Sequence, residues 1–213
     1  MRLRHGDAIE VFDSTAAVFD ARLIVRGATI AAQLHEMIGR AAKEPSIEIA
    51  IAQGIPKGQK MDYVIEKATE IGAARIIPLR SERVIGAAGE GKTDRWRRLA
   101  KSAAQQCGRS AVPAIDEETE WEGLLRIAQQ YDRILLPWEV AEPKPLRETL
   151  PDLIRAAARV LVVIGPEGGF SHEEVERASA AGAVAISLGS RILRSETAGL
   201  VIASAILYER GDL

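Results

Sequence analysis

Val160-Leu161-Val162-Val163-Ile164 runs into Gly165-Pro166-Glu167-Gly168-Gly169-Phe170, and Val184-Ala185-Ile186-Ser187-Leu188 runs into Gly189-Ser190-Arg191-Ile192-Leu193-Arg194-Ser195-Glu196-Thr197-Ala198. Each is an apolar strand that breaks into a polar, glycine-bearing turn and then opens a helix. In an open α/β sheet, ligands bind beyond the carboxyl ends of the strands. Two such ends, close in sequence and rich in backbone amides, predict one shared pocket. Gly168-Gly169 lets backbone approach a ligand closely and permits positive φ. Ser171 and Glu174 are spaced as a capping box, so the first glycine loop feeds a helix N-terminus. Such an end ordinarily invites anions, but Glu173, Glu174 and the cap already occupy it. A polar, near-neutral or cationic ligand is therefore expected rather than a polyphosphate. Ordinary βα turns without a ligand remain the alternative on residue types alone.

Outward from this stretch the chain divides in two. Residues 7–25 read as β structure: Ile9 to Phe12, a turn at Asp13-Ser14, then Ala17 to Val25. Ala28 to Ala42 reads as a strand and a polar loop, and Lys43-Glu44-Pro45-Ser46 as a linker. Beyond it, strands and helices alternate, as in an α/β layer. Ile47, Ile49 and Ile51 mark a strand. Gln59 to Ile71 is a helix with Ile65, Ala68 and Ile71 on one face and Gly72 at its end. Ile76 to Leu79 is a strand, Thr93 to Gln106 a helix, and Ile134 to Leu136 a strand. A proline-broken segment follows to Pro151, and Thr197 to Glu209 is the last helix.

Composition excludes several classes. The 213 residues are 47% hydrophobic and 27% charged, ordinary for a globular protein. Aromatics make up 4%, which argues against base stacking as the main mode of nucleic-acid contact. Cys107 is the only cysteine, so there is no internal disulfide, and a reducing cytoplasm is the expected location. With His5, His35 and His172 well apart, no metal centre is expected. No apolar signal core stands at the amino terminus. Net charge is −2, but residues 1–109 carry 18 basic and 13 acidic side chains, and residues 110–213 carry 10 and 17. Residues 75–109 alone hold nine basic and three acidic side chains, a local +6 suited to phosphate contacts. A solvated helix face would also account for it.

Gly86-Ala87-Ala88-Gly89-Glu90-Gly91-Lys92-Thr93 matches the P-loop pattern. Polar Arg80-Ser81-Glu82-Arg83 stands where a buried strand is required, and Glu90 would face phosphate anions. A glycine-rich connection is the better reading.

The two motifs, GPEGGF at 165–170 and LGSRILRSETA at 188–198, resemble the RsmE family, 16S ribosomal RNA uridine N3-methyltransferases of the SPOUT class. PKGQK at 56–60, EKATEIG at 66–72, RSERV at 80–84 and AAQQCGR at 103–109 extend the resemblance over roughly residues 45–213. It implies an α/β fold with a SPOUT-type parallel sheet and a C-terminal trefoil knot over 45–213. A small PUA-like, RNA-binding β-barrel would precede it over 1–44. Met1 to Asp7 matches an internal segment of that barrel, so one or two strands are expected to be missing and an edge left open. The resemblance further implies S-adenosylmethionine as cofactor, held by Gly165, Glu167, Gly168, Gly169 and Leu188, with Ile192 and Leu193 around the adenine. Lys57, Arg80, Arg83, Arg109 and Arg191 are the expected RNA contacts.

For catalysis the expectation falls on Arg194, whose guanidinium beside a uracil carbonyl would stabilise the imide anion. Glu196 is second, as proton acceptor or as an acid that merely stabilises a helix start. His172 is of the right type for a base but is expected to be an exposed first-turn residue. The apolar last helix implies a homodimer, and the small ribosomal subunit is the implied partner. The alternative function is a non-catalytic, RNA-binding ribosome assembly factor that keeps the fold.

Overall fold

The computed structural model of the chain describes residues 3–13, 17–40, 44–86, 89, 91–139 and 146–213. The expected turn residue Ser14, the stretch 41–43, the P-loop-like Ala87, Ala88 and Glu90, and residues 140–145 of the proline-broken segment lie outside them. Two compact units result, residues 1–44 with 104–111, and residues 45–103 with 112–213. The division at Glu44 and Pro45 falls in the expected linker, but residues 104–111 group with the first unit.

The first unit is an antiparallel meander of β1 (Ala8–Phe12), β2 (Ala17–Arg26) and β3 (Thr29–Arg40). The central strand β2 buries Ala17, Ala21 and Leu23, and Gly27 turns the hairpin to β3 in the left-handed region. The polar loop expected within Ala28 to Ala42 is absent through Arg40: β3 pairs with β2 along nearly all its length, and that ladder satisfies the backbone. Its Ile30, Leu34 and Ile38 are exposed.

The second unit comprises β4 (Glu48–Gly54), α1 (Lys60–Ile71), β5 (Arg75–Arg80), α2 (Lys92–Cys107), β6 (Ala114–Ile115), β7 (Thr119–Glu120), α3 (Trp121–Ala128), β8 (Arg133–Pro137), α4 (Leu146–Ile154), β9 (Arg159–Ile164), α5 (His172–Ala180), β10 (Ala183–Ile186) and α6 (Ser195–Arg210). The last four residues of α2 belong to the first unit's grouping. The sheet is parallel throughout, in the order β10-β8-β9-β4-β5-β6, with β7 also on β5. Parallel strands covered on both faces read as continuous apolar runs. In β4, Ile49 and Ile51 enter one core with Ile65 of α1 and Ile202 of α6, and Ala50 and Ala52 enter the other with Leu124 of α3 and Val175 of α5. In β9, Val160, Val162 and Ile164 go to the first core, and Leu161 and Val163 to the second.

Gly72 closes α1 at φ 118°, as its position predicts. Two helices escape the sequence reading. The helix α3 is only eight residues long and buries Trp121, Leu124 and Ala128. The proline-broken segment contains α4, which runs through Pro151 and forgoes one backbone hydrogen bond there. Burial of Leu150 and Ile154 in the first core offsets that loss. The strand expected to end at Leu188 ends at Ile186, so Leu188 belongs to the following loop. Among the described residues no helix is long and apolar enough to cross a membrane.

Candidate active site

The strand order brings the carboxyl ends of β8, β9, β10 and β4 side by side, and the loops after them enclose a cavity of about 560 Å³. Its apolar wall is Ile164, Phe170, Ile192, Leu193 and Ala198, and its charged groups are Lys60, Glu139, Glu167 and Arg194. A second hollow of about 330 Å³ shares Trp138, Glu139, Ile192 and Leu193 and adds Leu188 and Arg191. Both volumes are in the range of small-molecule sites.

The glycine backbone around the cavity is closely packed. Gly169 lies at φ 66°, and a Cβ there would stand 3.2 Å from Glu139 Oε1. A Cβ on Gly165 would meet Gly169 backbone at 3.3 Å. Ser171 caps α5: its Oγ accepts from Glu174 N–H at 3.3 Å, and Glu174 Oε2 accepts from Ser171 N–H at 3.0 Å. The expected capping box is therefore present, and His172 is exposed beside it with its ring edge on Trp138.

A buried relay joins β4, the glycine loop and α6. Gln53 Nε2 donates to Ser195 Oγ at 2.7 Å, and Ser195 Oγ donates to Gly165 O at 2.5 Å. Ser195→Ala should strip the Gln53 amide of that partner and lower stability by about 1–3 kcal/mol, the usual cost of an unmet buried group. Urea unfolding measures it, and an unchanged midpoint would show that the relay contributes nothing.

Charge at the cavity is ordered around Lys60, the first residue of α1. Its Nζ lies 3.2 Å from Glu167 Oε1 and 3.4 Å from Glu196 Oε1. The hydrogen bond to Glu167, opposed by partial desolvation and helped by Glu196, raises the Lys60 pKa above its ordinary value. Partial burial pushes Glu167 up, but its own N–H, the Lys57 N–H and the Lys60 ammonium outweigh that and hold it below the usual carboxylate range. The Glu196 side chain is 13% exposed, stands in the first turn of α6, and lies 4.0 Å from Arg194 Nη1. Its Oε2 is buried with no hydrogen-bond partner among the described residues.

The residues singled out from sequence are thus only partly assembled. Gly165, Glu167, Gly169, Ile192, Leu193 and Arg194 line the larger cavity, and Leu188 and Arg191 the smaller. Gly168 lines neither: it packs on Arg83, whose Nη1 donates to Gly168 O at 3.0 Å. The +6 stretch is largely neutralised in place. Arg75 pairs with Asp116, Arg80 with Glu118 and Glu120, Arg95 with Asp62, and Arg97 with Asp94 and Glu117. Arg109 corrects an expectation: it is 7% exposed, and its guanidinium holds the Glu44 carboxylate, with Nη2 2.6 Å from Oε2. A buried arginine so engaged is not a phosphate contact. Lys57 and Arg83 are exposed. In the P-loop-like segment, Thr93 Oγ1 donates to Glu117 at 2.8 Å, which removes the hydroxyl a magnesium site would need.

Sequence reasoning missed Gly54, Trp138 and Glu139, and passed over Lys60. Trp138 and Glu139 carried no local signal beyond standing at the end of an apolar run. Lys60 sits in the PKGQK segment, where its place at the mouth of a strand end could have drawn attention.

Similarity to known proteins agrees with this geometry. Residues 43–207 match the family described as RNA methyltransferase domain. The chain is 35% identical over 181 residues to the ribosomal RNA small subunit methyltransferase E of Bacillus subtilis (strain 168), covering 80% of this chain and 71% of that protein. It is 30% identical over 220 residues to the protein of the same name from Buchnera aphidicola subsp. Acyrthosiphon pisum (strain APS), covering 100% and 83%. The crystal structure of ribosomal RNA small subunit methyltransferase E from Neisseria gonorrhoeae bound to S-adenosyl methionine superimposes with a TM-score of 0.80. It is 29% identical, and the match covers 97% of this chain and 84% of that one.

Proposed function

Because the chain belongs to the ribosomal RNA small subunit methyltransferase E family, we propose that its reaction is methylation of N3 of one uridine in 16S ribosomal RNA. It is an S-adenosylmethionine-dependent ribosomal RNA methyltransferase. The observation that carries this to the chain's own residues is the cavity at the strand ends, with glycine backbone on one side and Ile192 and Leu193 on the other.

That cavity fits the cofactor. Its volume is adequate, its floor leaves little room for a Cβ at Gly165 or Gly169, and Ile192 is 88% exposed, an apolar side chain that an adenine would cover. Its charged groups balance, Lys60 and Arg194 against Glu139 and Glu167, which suits a zwitterionic ligand better than a polyphosphate. When bound, S-adenosylmethionine supplies a methyl group already activated by its sulfonium. Gly165, Glu167 and Gly169, with Leu188, Ile192 and Leu193, would hold it and exclude water from one side. Arg194 stabilises the uracil carbonyl as N3 loses its proton, and Glu196 accepts that proton. Gly169→Val should weaken S-adenosylhomocysteine binding at least tenfold, about 1.4 kcal/mol, because a β-branched residue resists φ 66° and would crowd Glu139. Calorimetry reads it, and unchanged affinity in a folded variant removes Gly169 from the site.

The finer architecture belongs to the same proposal: a trefoil knot around the strand ends, a PUA-like first unit that helps to bind RNA, and a homodimer. Supporting the dimer, Val201 and Tyr208 are exposed one above the other on α6. A dimer mass by light scattering at micromolar concentration is expected, and a monomer would count against it. Lys57, Arg83 and Arg191 are the proposed phosphate contacts, and cytoplasmic ribosome assembly is the proposed setting.

The function is tested by incubating the protein with labelled S-adenosylmethionine and unmethylated small subunits and mapping the product nucleoside by mass spectrometry. N3-methyluridine is expected, with RNA binding that weakens steeply with salt. Label on a carbon, a ribose oxygen or another base would overturn the N3 assignment. Cofactor binding without any label would favour the assembly-factor alternative.

A further inference from the structure

We infer that Glu139 reads the charge on the cofactor's sulfur: its carboxylate meets the sulfonium, and the site thereby prefers S-adenosylmethionine to S-adenosylhomocysteine, whose sulfur is neutral. The inference rests on the two cavities at the strand ends being the seat of the cofactor. Six residues line both of them: Pro137, Trp138 and Glu139 at the end of β8, and Ile192, Leu193 and Ala198. Glu139 is the only one of the six with a charged side chain. Leu188 lines only the smaller hollow, and Gly165, Glu167 and Gly169 only the larger. A cofactor that reaches Leu188 at one end and the Gly165 to Gly169 turn at the other crosses the junction at its middle. The atom that joins its adenosine to its methionine chain is sulfur. The one charged group at the junction is thus an anion, and the ligand's charge there is positive.

The carboxylate is held in place and is not engaged elsewhere. Trp138 N–H donates to Ile186 O at 3.0 Å, which fixes the chain just before Glu139. Glu139 is exposed, and its Oε1 stands over Gly169, 3.2 Å from where a Cβ there would lie. The Gly169 N–H is taken by Pro166 O at 2.9 Å. Among the described residues, no donor or cation pairs with Glu139. The other carboxylate on the larger cavity, Glu167, is already held by the Lys57 N–H and the Lys60 ammonium. Glu139 is therefore the acidic group left for a ligand cation. A sulfonium gives this carboxylate a partner as the ligand displaces its water. A neutral sulfide displaces the same water and offers no charge in return, which disfavours it. Methyl transfer leaves the sulfide, so the same contrast favours release of the spent cofactor.

Calorimetry on the full chain tests this with three ligands: S-adenosylmethionine, S-adenosylhomocysteine and sinefungin, whose protonated amine stands where the methylated sulfur would be. All three share the adenosine, the α-ammonium and the carboxylate. Glu139→Gln should weaken both ligands that are cationic at this position about fivefold, the upper range for an exposed charge pair, and leave S-adenosylhomocysteine within about twofold. Raising salt should narrow the wild-type preference, since the site is open to screening. Thermal midpoints show that the variant is folded, as an exposed side chain predicts. Equal losses for all three ligands would assign Glu139 to a feature they share, and unchanged affinities would remove it from the site; either result overturns the inference. Failure of the underlying reading looks different: wild-type S-adenosylhomocysteine affinity in a folded Gly169→Val variant would show that the cofactor sits elsewhere.

Discussion

Replacing Arg194 by alanine is expected to lower kcat for methyl transfer about 100- to 1,000-fold, about 2.7–4 kcal/mol of transition-state stabilisation. Cofactor affinity should barely move. The uracil N3 proton is weakly acidic, and charge develops on the flanking carbonyl oxygens as it leaves. A guanidinium held against one of those oxygens is worth most in a site that excludes water. Arg194 suits the task by position. It is the N-cap residue of α6 with extended backbone, φ −66° and ψ 150°, and its side chain makes no capping bond. It lines the larger cavity, and its exposure means that truncation removes no buried packing. Lysine should restore the charge but not the forked geometry, and so only part of the rate. Single-turnover kinetics, with calorimetry for S-adenosylhomocysteine, separate the two effects. A variant that methylates at the wild-type rate would remove Arg194 from the chemistry.

Gly54→Ala is expected to destabilise the protein by about 3 kcal/mol or more. The last paired residues of β4 and β9 are Gln53 and Ile164, and immediately beyond them the two backbones pass in contact. A Cβ on Gly54 would lie 2.6 Å from Pro166 N, 2.8 Å from Pro166 Cδ and 2.9 Å from Gly165 C. These are backbone and ring atoms, which cannot swing aside as a flexible side chain can. The strand ends must separate, and the loop 165–170 moves with them. The variant should therefore lose S-adenosylhomocysteine affinity as well as stability, although Gly54 is not itself on the cavity wall. Urea unfolding gives the first quantity and calorimetry the second. Gly39→Ala is the control, since nothing stands within 4 Å of a Cβ there. Equal stability of the two variants would show that the close passage tolerates widening.

Local pattern accounts for what was legible. The run 160–164 is apolar without interruption, and 47–51 is broken only by the exposed Glu48 at the start of β4, because both faces of a parallel strand are covered. Ser171 and Glu174 satisfy each other across one helical turn, and Gly72 ends α1 where only a left-handed residue can. These features need information from within a few residues, and each is present as expected. Short or compromised local signals hid the rest. The eight residues of α3 are too few for a clear period, and α4 contains a proline that only tertiary burial makes tolerable.

Charge shows the same limit more sharply. Nine basic residues between positions 75 and 109 predict a cationic surface, yet carboxylates outside that stretch, at 44, 62, 116, 117, 118 and 120, meet five of them. A count along the chain cannot see partners that folding brings from elsewhere. Arg109 is the extreme case, exposed by expectation and buried against Glu44 in fact.

By itself, then, the sequence determined the alternating α/β layer, the two glycine turns, the capped helix behind the first of them and the apolar wall of the second. It could do so because backbone propensity, turn geometry and the covering of a strand's faces are written within short windows. Only the tertiary structure decided that β9 enters between β8 and β4, that Gly54 must be bare where it meets Pro166, and that Lys60 joins Glu167 to Glu196. Those outcomes depend on which segments far apart in the chain close upon each other. The strand order follows from how the whole apolar surface is best buried, and no window of neighbouring residues contains that choice.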